Sequence, residues 1–285
     1  MDRYYEKYLY HPIRKPGTEK ATKIDLIRSK DNEMMSFFYE SAFYLGDRVI
    51  SEKEYALSCD ELFCFMNASG KGDELGATVS ITVNGQKFVS DKCFMIEIPS
   101  LVPHGPVEIT GLKSPVFFSV TGAGREHVSL PEENWKREDI APVEDMVTYA
   151  GDSGKGDIVF ECLPNETLKG DVYSTVRTIE RGGRLNVSNR HFHEFPEILC
   201  IYGSDPERPY DLDGEFLRYI GGEEYRITEP TALYIAPHVV HCPVKSVRIG
   251  KDCIWHSVGH SFGSYTSTDL DSGEEPGMFD LVKPW

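Results

Sequence analysis

Apolar and polar residues alternate along much of this chain. In "TVSITVNGQKFVS" (78–90), Val79, Ile81 and Val83 alternate with Ser80, Thr82 and Asn84, and Phe88 resumes the apolar series after an Asn-Gly pair. Residues two apart on a strand share a face, so the pattern predicts a half-buried hairpin whose tight turn is Asn84-Gly85. Short runs of the same kind, rich in Val, Ile, Phe and Tyr and bounded by Gly, Pro, Asn or Asp, recur through the 285 residues, while helical periodicity is scarce. The predicted class is all-β, built from barrels or sandwiches.

The pattern also repeats. "VNGQKFVSDKCFMIEIPSLVPHGPV" (83–107) aligns without a gap on "IGGEEYRITEPTALYIAPHVVHCPV" (220–244) at an offset of 241 − 104 = 137, which sets His104 on His241 and Ile98 on Ile235. "DELFCFMN" (60–67) fits "PEILCIYG" (196–203) at 136, with Glu61 on Glu197, and "FFSV" (117–120) fits "WHSV" (255–258) at 138. A drift of one residue on either side is what turn-length changes between equivalent strands produce, so the chain is predicted to be an internal duplication. Its units are residues 1–122 and 157–285, joined by a charge-rich connection over 123–156.

Composition changes this picture little. Hydrophobic residues make up 40% and charged residues 27%, ordinary for a folded globular chain. Lysine and arginine total 30 and aspartate and glutamate 46, so the net charge is 30 − 46 = −16. Such a surface repels phosphate backbones and anionic headgroups, which argues against nucleic-acid and membrane partners. It does not exclude an anionic small molecule, because a metal ion and a few arginines reverse the potential within one cavity. Neither a leader-like start nor a long apolar run is present, and the expected location is cytoplasmic. The seven cysteines include no CxxC pair and read as core thiols. The aromatic stretch "MMSFFYESAFYL" (34–45) is expected to form a first strand or, if exposed, a dimer face.

Candidate chemistry concentrates in "RHFHEFPEILCIYG" (190–203). If 190–193 is extended, His191 and His193 aim two imidazoles into one space. Glu197 follows after Pro196, which bends the chain and brings the carboxylate in from another strand. His241 lies 241 − 197 = 44 residues further on, enough for hairpins to return the chain to the same wall. Imidazoles with a carboxylate suit one divalent transition metal, Zn, Fe, Mn or Ni, and leave room for water or substrate. Cys200 and Cys242 are placed by strand alternation on the faces opposite Glu197 and His241, which makes packing their expected role.

"HFHEFPE" (191–197) with Gly203, and "APHVVH" (236–241), resemble the two short motifs of the cupin superfamily. With the internal repeat, the resemblance implies a bicupin: two tandem jelly-roll barrels in one chain, with His191, His193, Glu197 and His241 as the metal ligands of the second. His238 stands where many cupins have glycine, so the turn there is expected to differ. In the first half Tyr55 and Leu57 occupy the positions of His191 and His193, while Glu61 and His104 remain, so the first barrel is expected to be metal-free. The alternative is that another histidine, such as His11, completes a site there. Bicupins often self-associate, so a homodimer is also implied.

Such a metal could polarise a carbonyl and its neighbouring hydroxyl so that a proton moves between adjacent carbons, as in an isomerase or epimerase. It could instead, as Fe(II), bind substrate with dioxygen, or the cavity could serve for binding alone. "ITVNGQKF" (81–88) and "CIWHSVGHSFGSYTSTDLD" (253–271) are similar to the sugar-uronate isomerases, the 5-dehydro-4-deoxyuronate and 5-deoxyglucuronate group. The spacing from the second histidine to the glutamate is one residue shorter here. The favoured expectation is a metal-dependent isomerase of a small sugar or uronate-like molecule. Arg177 is the candidate anchor for a carboxylate, and Tyr234 and His256 are further substrate-side candidates.

Overall fold

The computed structural model describes residues 4–12, 23–31, 33–69, 72–155, 158–162, 170–187, 189–261 and 266–270. Sequence positions outside these, including parts of the 253–271 stretch, lie outside the described residues. Among the described residues the strands form four antiparallel sheets, two to a barrel. The first barrel faces a sheet ordered Val147–Tyr149, Phe94–Ile98, Glu61–Asn67, Val116–Gly122, Phe38–Tyr44 and Lys23–Arg28 against one ordered Arg48–Ser51, His104–Thr110, Glu74–Val83 and Gln86–Lys92. In the second barrel, Leu9–Tyr10, Thr231–Ile235, Glu197–Gly203, Cys253–His260, Val172–Ile179, Ile158–Cys162 and Gly151–Lys155 make one sheet. Glu223–Ile227, Gly214–Ile220, His241–Ile249, His191–Phe192 and Thr268–Asp269 make the other. This is the two-barrel cupin architecture that the motifs and the repeat imply.

The duplication is visible residue by residue. Glu61 pairs with Ile98 as Glu197 pairs with Ile235, and Tyr55 bridges His104 as His191 pairs with His241. Backbone conformations repeat at the offset of 137: Asn84 and Gly85 have φ of 45° and 78°, Gly221 and Gly222 of 56° and 82°. Two consecutive left-handed residues form the tight hairpin turn that Asn-Gly favours. Leu101 and His238 are likewise equivalent, with φ of 68° and 63°. The turn at His238 therefore keeps a left-handed residue without glycine, in both halves, rather than changing shape. The backbone N–H of His238 donates to the His193 carbonyl at 2.7 Å, which ties the turn to the metal-motif strand.

Each barrel takes a strand from beyond the boundaries drawn on the sequence. Leu9–Tyr10 pairs with Ala232 and Leu233 on the edge of the second barrel, although it lies in the 1–122 unit. The 123–156 connection contributes Val147–Tyr149 to the first barrel and Gly151–Lys155 to the second. An uncovered sheet edge leaves a row of unpaired main-chain groups, and these short strands cover such edges.

The barrels meet through strands buried on both faces. Every residue of Glu197–Gly203 and of Cys253–His260 is buried, because one face lines the second barrel and the other packs on the first. A polar network crosses there: Tyr39 Oη contacts His256 Nδ1 at 3.0 Å, Ser174 Oγ contacts His256 Nε2 at 3.2 Å, and Ser41 Oγ contacts Tyr202 Oη at 3.0 Å. The 34–45 stretch supplies the first barrel's share as the strand Phe38–Tyr44, with Met35 and Phe37 buried. Its aromatic face is buried within the chain rather than exposed as a dimer face. None of the seven cysteines is joined in a disulfide. Among the described residues no helix is long and apolar enough to cross a membrane.

Candidate metal centre

The chain passes from one sheet of the second barrel to the other between His193 and Glu197. His191 lies on the strand His191–Phe192 and pairs directly with His241, while Glu197 opens a strand of the facing sheet. Pro196 sits at this crossing, and the carboxylate arrives opposite the imidazoles. All four side chains are buried. The three imidazole centroids lie 4.3 to 5.0 Å apart. Glu197 Oε2 is 3.2 Å from His241 Nε2 and 3.6 Å from His193 Nε2. The Phe195 ring stacks on His193 at 4.7 Å and occupies the space a side chain at Gly259 would need.

Main-chain carbonyls set the orientation of every ring. His191 Nδ1 meets Asn189 O at 2.8 Å, His193 Nδ1 meets Thr266 O at 2.9 Å, and His241 Nδ1 meets Val239 O at 2.9 Å. A carbonyl only accepts, so Nδ1 of each ring carries a proton and Nε2 is left as the nitrogen able to ligate. Ser257 Oγ donates to Glu197 Oε1 at 2.6 Å and leaves Oε2 turned to the histidines. Glu197 Oε2 and His241 Nε2 are both fully buried and have no hydrogen-bond partner despite their proximity. A proton on one imidazole relieves one such contact, whereas a dication among them satisfies all the lone pairs together. The donor set fits a divalent metal.

The electrostatics agree. Burial pushes the Glu197 carboxyl up, but His193 and His241 beside it outweigh burial and hold it well below the usual carboxylate range. Burial, with His241 adding to it, lowers His191 to about 4, which favours the neutral, ligating form. Burial alone would also lower His193, and the Glu197 carboxylate raises it instead. Cys242 departs from the alternation expected of it: its sulfur lies within 4.8 Å of ligand atoms of His191 and His241. Its φ of 65° and the break in pairing between Arg218 and Ile220 turn the side chain back toward the histidines.

Register places the remaining candidates. Rungs of the Glu197 sheet run Glu197–Gly259–Tyr173, then Leu199–Ser257–Thr175, then Ile201–Trp255–Arg177. Arg177 therefore shares the inward face with Tyr173 and Ser257, two rungs from Glu197. Tyr234 and His256 are corrections: both point to the opposite face. Tyr234 meets Ser36 Oγ at 3.0 Å and stacks on Tyr8, and His256 is held in the inter-barrel network. Alternation places both with Ile198 and Cys200, away from Glu197.

Several residues of the site carry no motif. Ser257 and Tyr173 form one such pair: Tyr173, raised to about 12 by burial and then by Glu197, hydrogen-bonds with Ser257, which in turn holds Glu197. Arg218 is another. Its strand, "GEFLRYI" (214–220), buries Gly214, Phe216, Arg218 and Ile220, but Leu217 and Tyr219 are apolar on the outer face and hide the alternation.

In the first barrel, Glu61 receives His104 Nε2 at 2.7 Å and Tyr55 Oη at 3.1 Å on one oxygen, and His127 Nε2 at 2.9 Å on the other. His11, the candidate completing residue, lies instead against Pro230 and Glu229 of the second barrel. His127 comes from the 123–156 connection. Its motif-free loop gave no sign of this role.

No family model matches the sequence, and no curated protein matches it. Solved structures do match in fold. A variant of the oxalate decarboxylase of Bacillus subtilis aligns with a TM-score of 0.54 at 10% identity, over 87% of this chain and 75% of its own. AerE from Microcystis aeruginosa aligns at 0.51 and 12%, over 89% and 98%. The Lactobacillus farciminis oxalate decarboxylase formate complex aligns at 0.54 and 8%, over 87% and 83%. The similarity to sugar-uronate isomerases read from two short stretches has no counterpart among these. The chain thus has the two-barrel cupin fold of the oxalate decarboxylases and AerE, with a buried His/Glu cluster in its second barrel.

Proposed function

We propose that the second barrel binds one divalent transition metal through His191, His193, Glu197 and His241. We further propose that the protein is a metal-dependent isomerase or epimerase of a small sugar or uronate-like molecule. The observation that carries the metal is the set of rings whose Nδ1 atoms are tied to carbonyls, packed around a Glu197 oxygen with no other partner. Manganese is the first ion to test, since one structural neighbour, the Bacillus subtilis oxalate decarboxylase, is described by its Mn(II) centres. A bound dication would polarise a substrate carbonyl and acidify the neighbouring C–H.

The chain's own groups supply the rest. Ser257 fixes the Glu197 carboxylate, and the carbonyl-bound Nδ1 protons hold the rings at one orientation. Tyr173 keeps its proton at neutral pH and stands on the first inward rung, next to Ser257, as a group able to donate it. A protonated donor beside the cluster supports proton transfer over chemistry that consumes dioxygen.

Elemental mass spectrometry on untagged protein purified without chelator tests the metal, with one equivalent per chain expected and near-complete loss in Glu197→Gln. Two equivalents, or none after reconstitution, would contradict the reading. Candidate uronates and ketoses incubated anaerobically in D₂O should gain deuterium at carbon only with metal-loaded protein. Turnover that requires dioxygen would count against the isomerase.

A further inference from the structure

Arg218 is a buried cation that no carboxylate among the described residues contacts directly; Glu197 acts on it only through space. It points inward from the strand Gly214–Ile220 with none of its surface exposed. Nη1 donates to the Leu199 carbonyl at 2.7 Å, and the guanidinium lies over the Trp255 ring at 5.2 Å. Nε and Nη2 have no hydrogen-bond partner, and among the described residues no carboxylate pairs with the group. One main-chain bond and one ring face do not offset the loss of water around a full charge in a low-dielectric interior.

The unmatched donors have a definite place. Leu199, whose carbonyl receives Arg218, shares its rung with Ser257 and Thr175, directly next to the Glu197 rung. Thr175 Oγ1 on that rung is also buried without a partner. Nε and Nη2 form one edge of the guanidinium, the edge that receives the two oxygens of a carboxylate in parallel. The chain's net charge of −16 gives no general attraction for anions, so a local cation has to supply it.

We propose that Arg218, not Arg177, anchors a carboxylate of the molecule handled in the second barrel, with Thr175 as an auxiliary donor; this rests on the reading of that barrel as the active one. The substrate class is thereby a small carboxylic acid held by its carboxylate on the side of the metal cluster away from His191. Arg218 is a binding and positioning residue. The cation over Trp255 provides a reporter, since an anion arriving at Arg218 changes the field on that ring.

The experiment titrates glycolate, malonate and D-glucuronate into metal-loaded protein, with neutral glycolamide as control, following calorimetry and tryptophan emission. Metal content is measured on every sample. At least one carboxylate should bind and shift the emission, glycolamide should not, and Trp255→Phe should abolish the shift while calorimetric binding persists. Arg218→Met should weaken binding by about 30-fold or more with metal content unchanged. Arg218→Lys, which keeps the charge and loses the fork, should fall between, and it carries the test if the methionine variant does not fold. Equal affinity in wild type and variants, no carboxylate binding at all, or equal binding of chloride and sulfate would overturn the proposal. A wild type without metal that still binds carboxylates through Arg218 would retain the anchor and refute the metal reading, so the two fail separately.

Discussion

At the scale of single residues, the centre depends on groups that touch the four candidate ligands rather than on those ligands alone. Ser257 holds one Glu197 oxygen at 2.6 Å, and three carbonyls hold the imidazole protons. Supporting contacts of this kind typically contribute about 10- to 100-fold to metal affinity. Ser257→Ala should therefore weaken metal binding by about 10- to 100-fold in a chelator competition assay, with the fold intact by circular dichroism. Unchanged affinity would show that Glu197 is oriented by something else. The ligand types and their spacing were legible in the sequence, because HxH on a strand places two rings on one side. The carbonyl contacts were not, since any residue supplies a carbonyl and only the bend of the chain brings it to Nδ1.

Secondary-structure elements were legible where one face meets solvent. Val79, Ile81 and Val83 alternate because their strand has an inner and an outer side, and the burial pattern follows it. The strands Glu197–Gly203 and Cys253–His260 are buried on both faces and carry no such signal, so the outward direction of His256 could not be read. The strand Phe94–Ile98 makes a testable link between barrels. Glu97 on it accepts the Val172 N–H at 3.0 Å, and burial, aided by Asp60 and Asp171, raises its carboxyl to about 7 from 4.5. A raised folded value means that the stability it contributes is full below 4.5 and is lost as pH rises through about 7. Glu97→Gln removes that loss. The stability difference, variant minus wild type, should grow by about 3 kcal/mol between about pH 4.5 and about pH 8 in urea unfolding. A difference that does not change with pH would place the Glu97 charge in solvent.

Across the whole molecule, the two barrels are joined by exchange as well as by packing. Leu9–Tyr10 crosses to the second barrel and Val147–Tyr149 completes the first, while the Tyr39, Ser174 and His256 contacts sit between them. His256 is lowered to about 3 by burial, so it is neutral at ordinary pH and needs both partners for its two nitrogens. Tyr39→Phe removes the contact to Nδ1 in a fully buried position, with an expected loss of about 1–3 kcal/mol in global stability. Because the network lies on the far face from Glu197, metal stoichiometry should not change. A variant of unchanged stability would indicate that water replaces the hydroxyl, and loss of metal would show coupling between the faces.

The sequence by itself determined the all-β class, the duplication and the residues of the buried His/Glu cluster. These are properties of period, offset and ligand chemistry, all local along the chain. Tertiary structure decided which residues meet across sheets: Ser257 on Glu197, Arg218 over Trp255, His127 on Glu61, and a terminal strand on the opposite barrel. It also decided that Tyr234 and His256 face the interface and that Cys242 turns toward the histidines. The physical reason is that a side chain's face follows from strand register, bulges and what covers the sheet. Those depend on contacts between segments far apart in sequence, which no local pattern encodes.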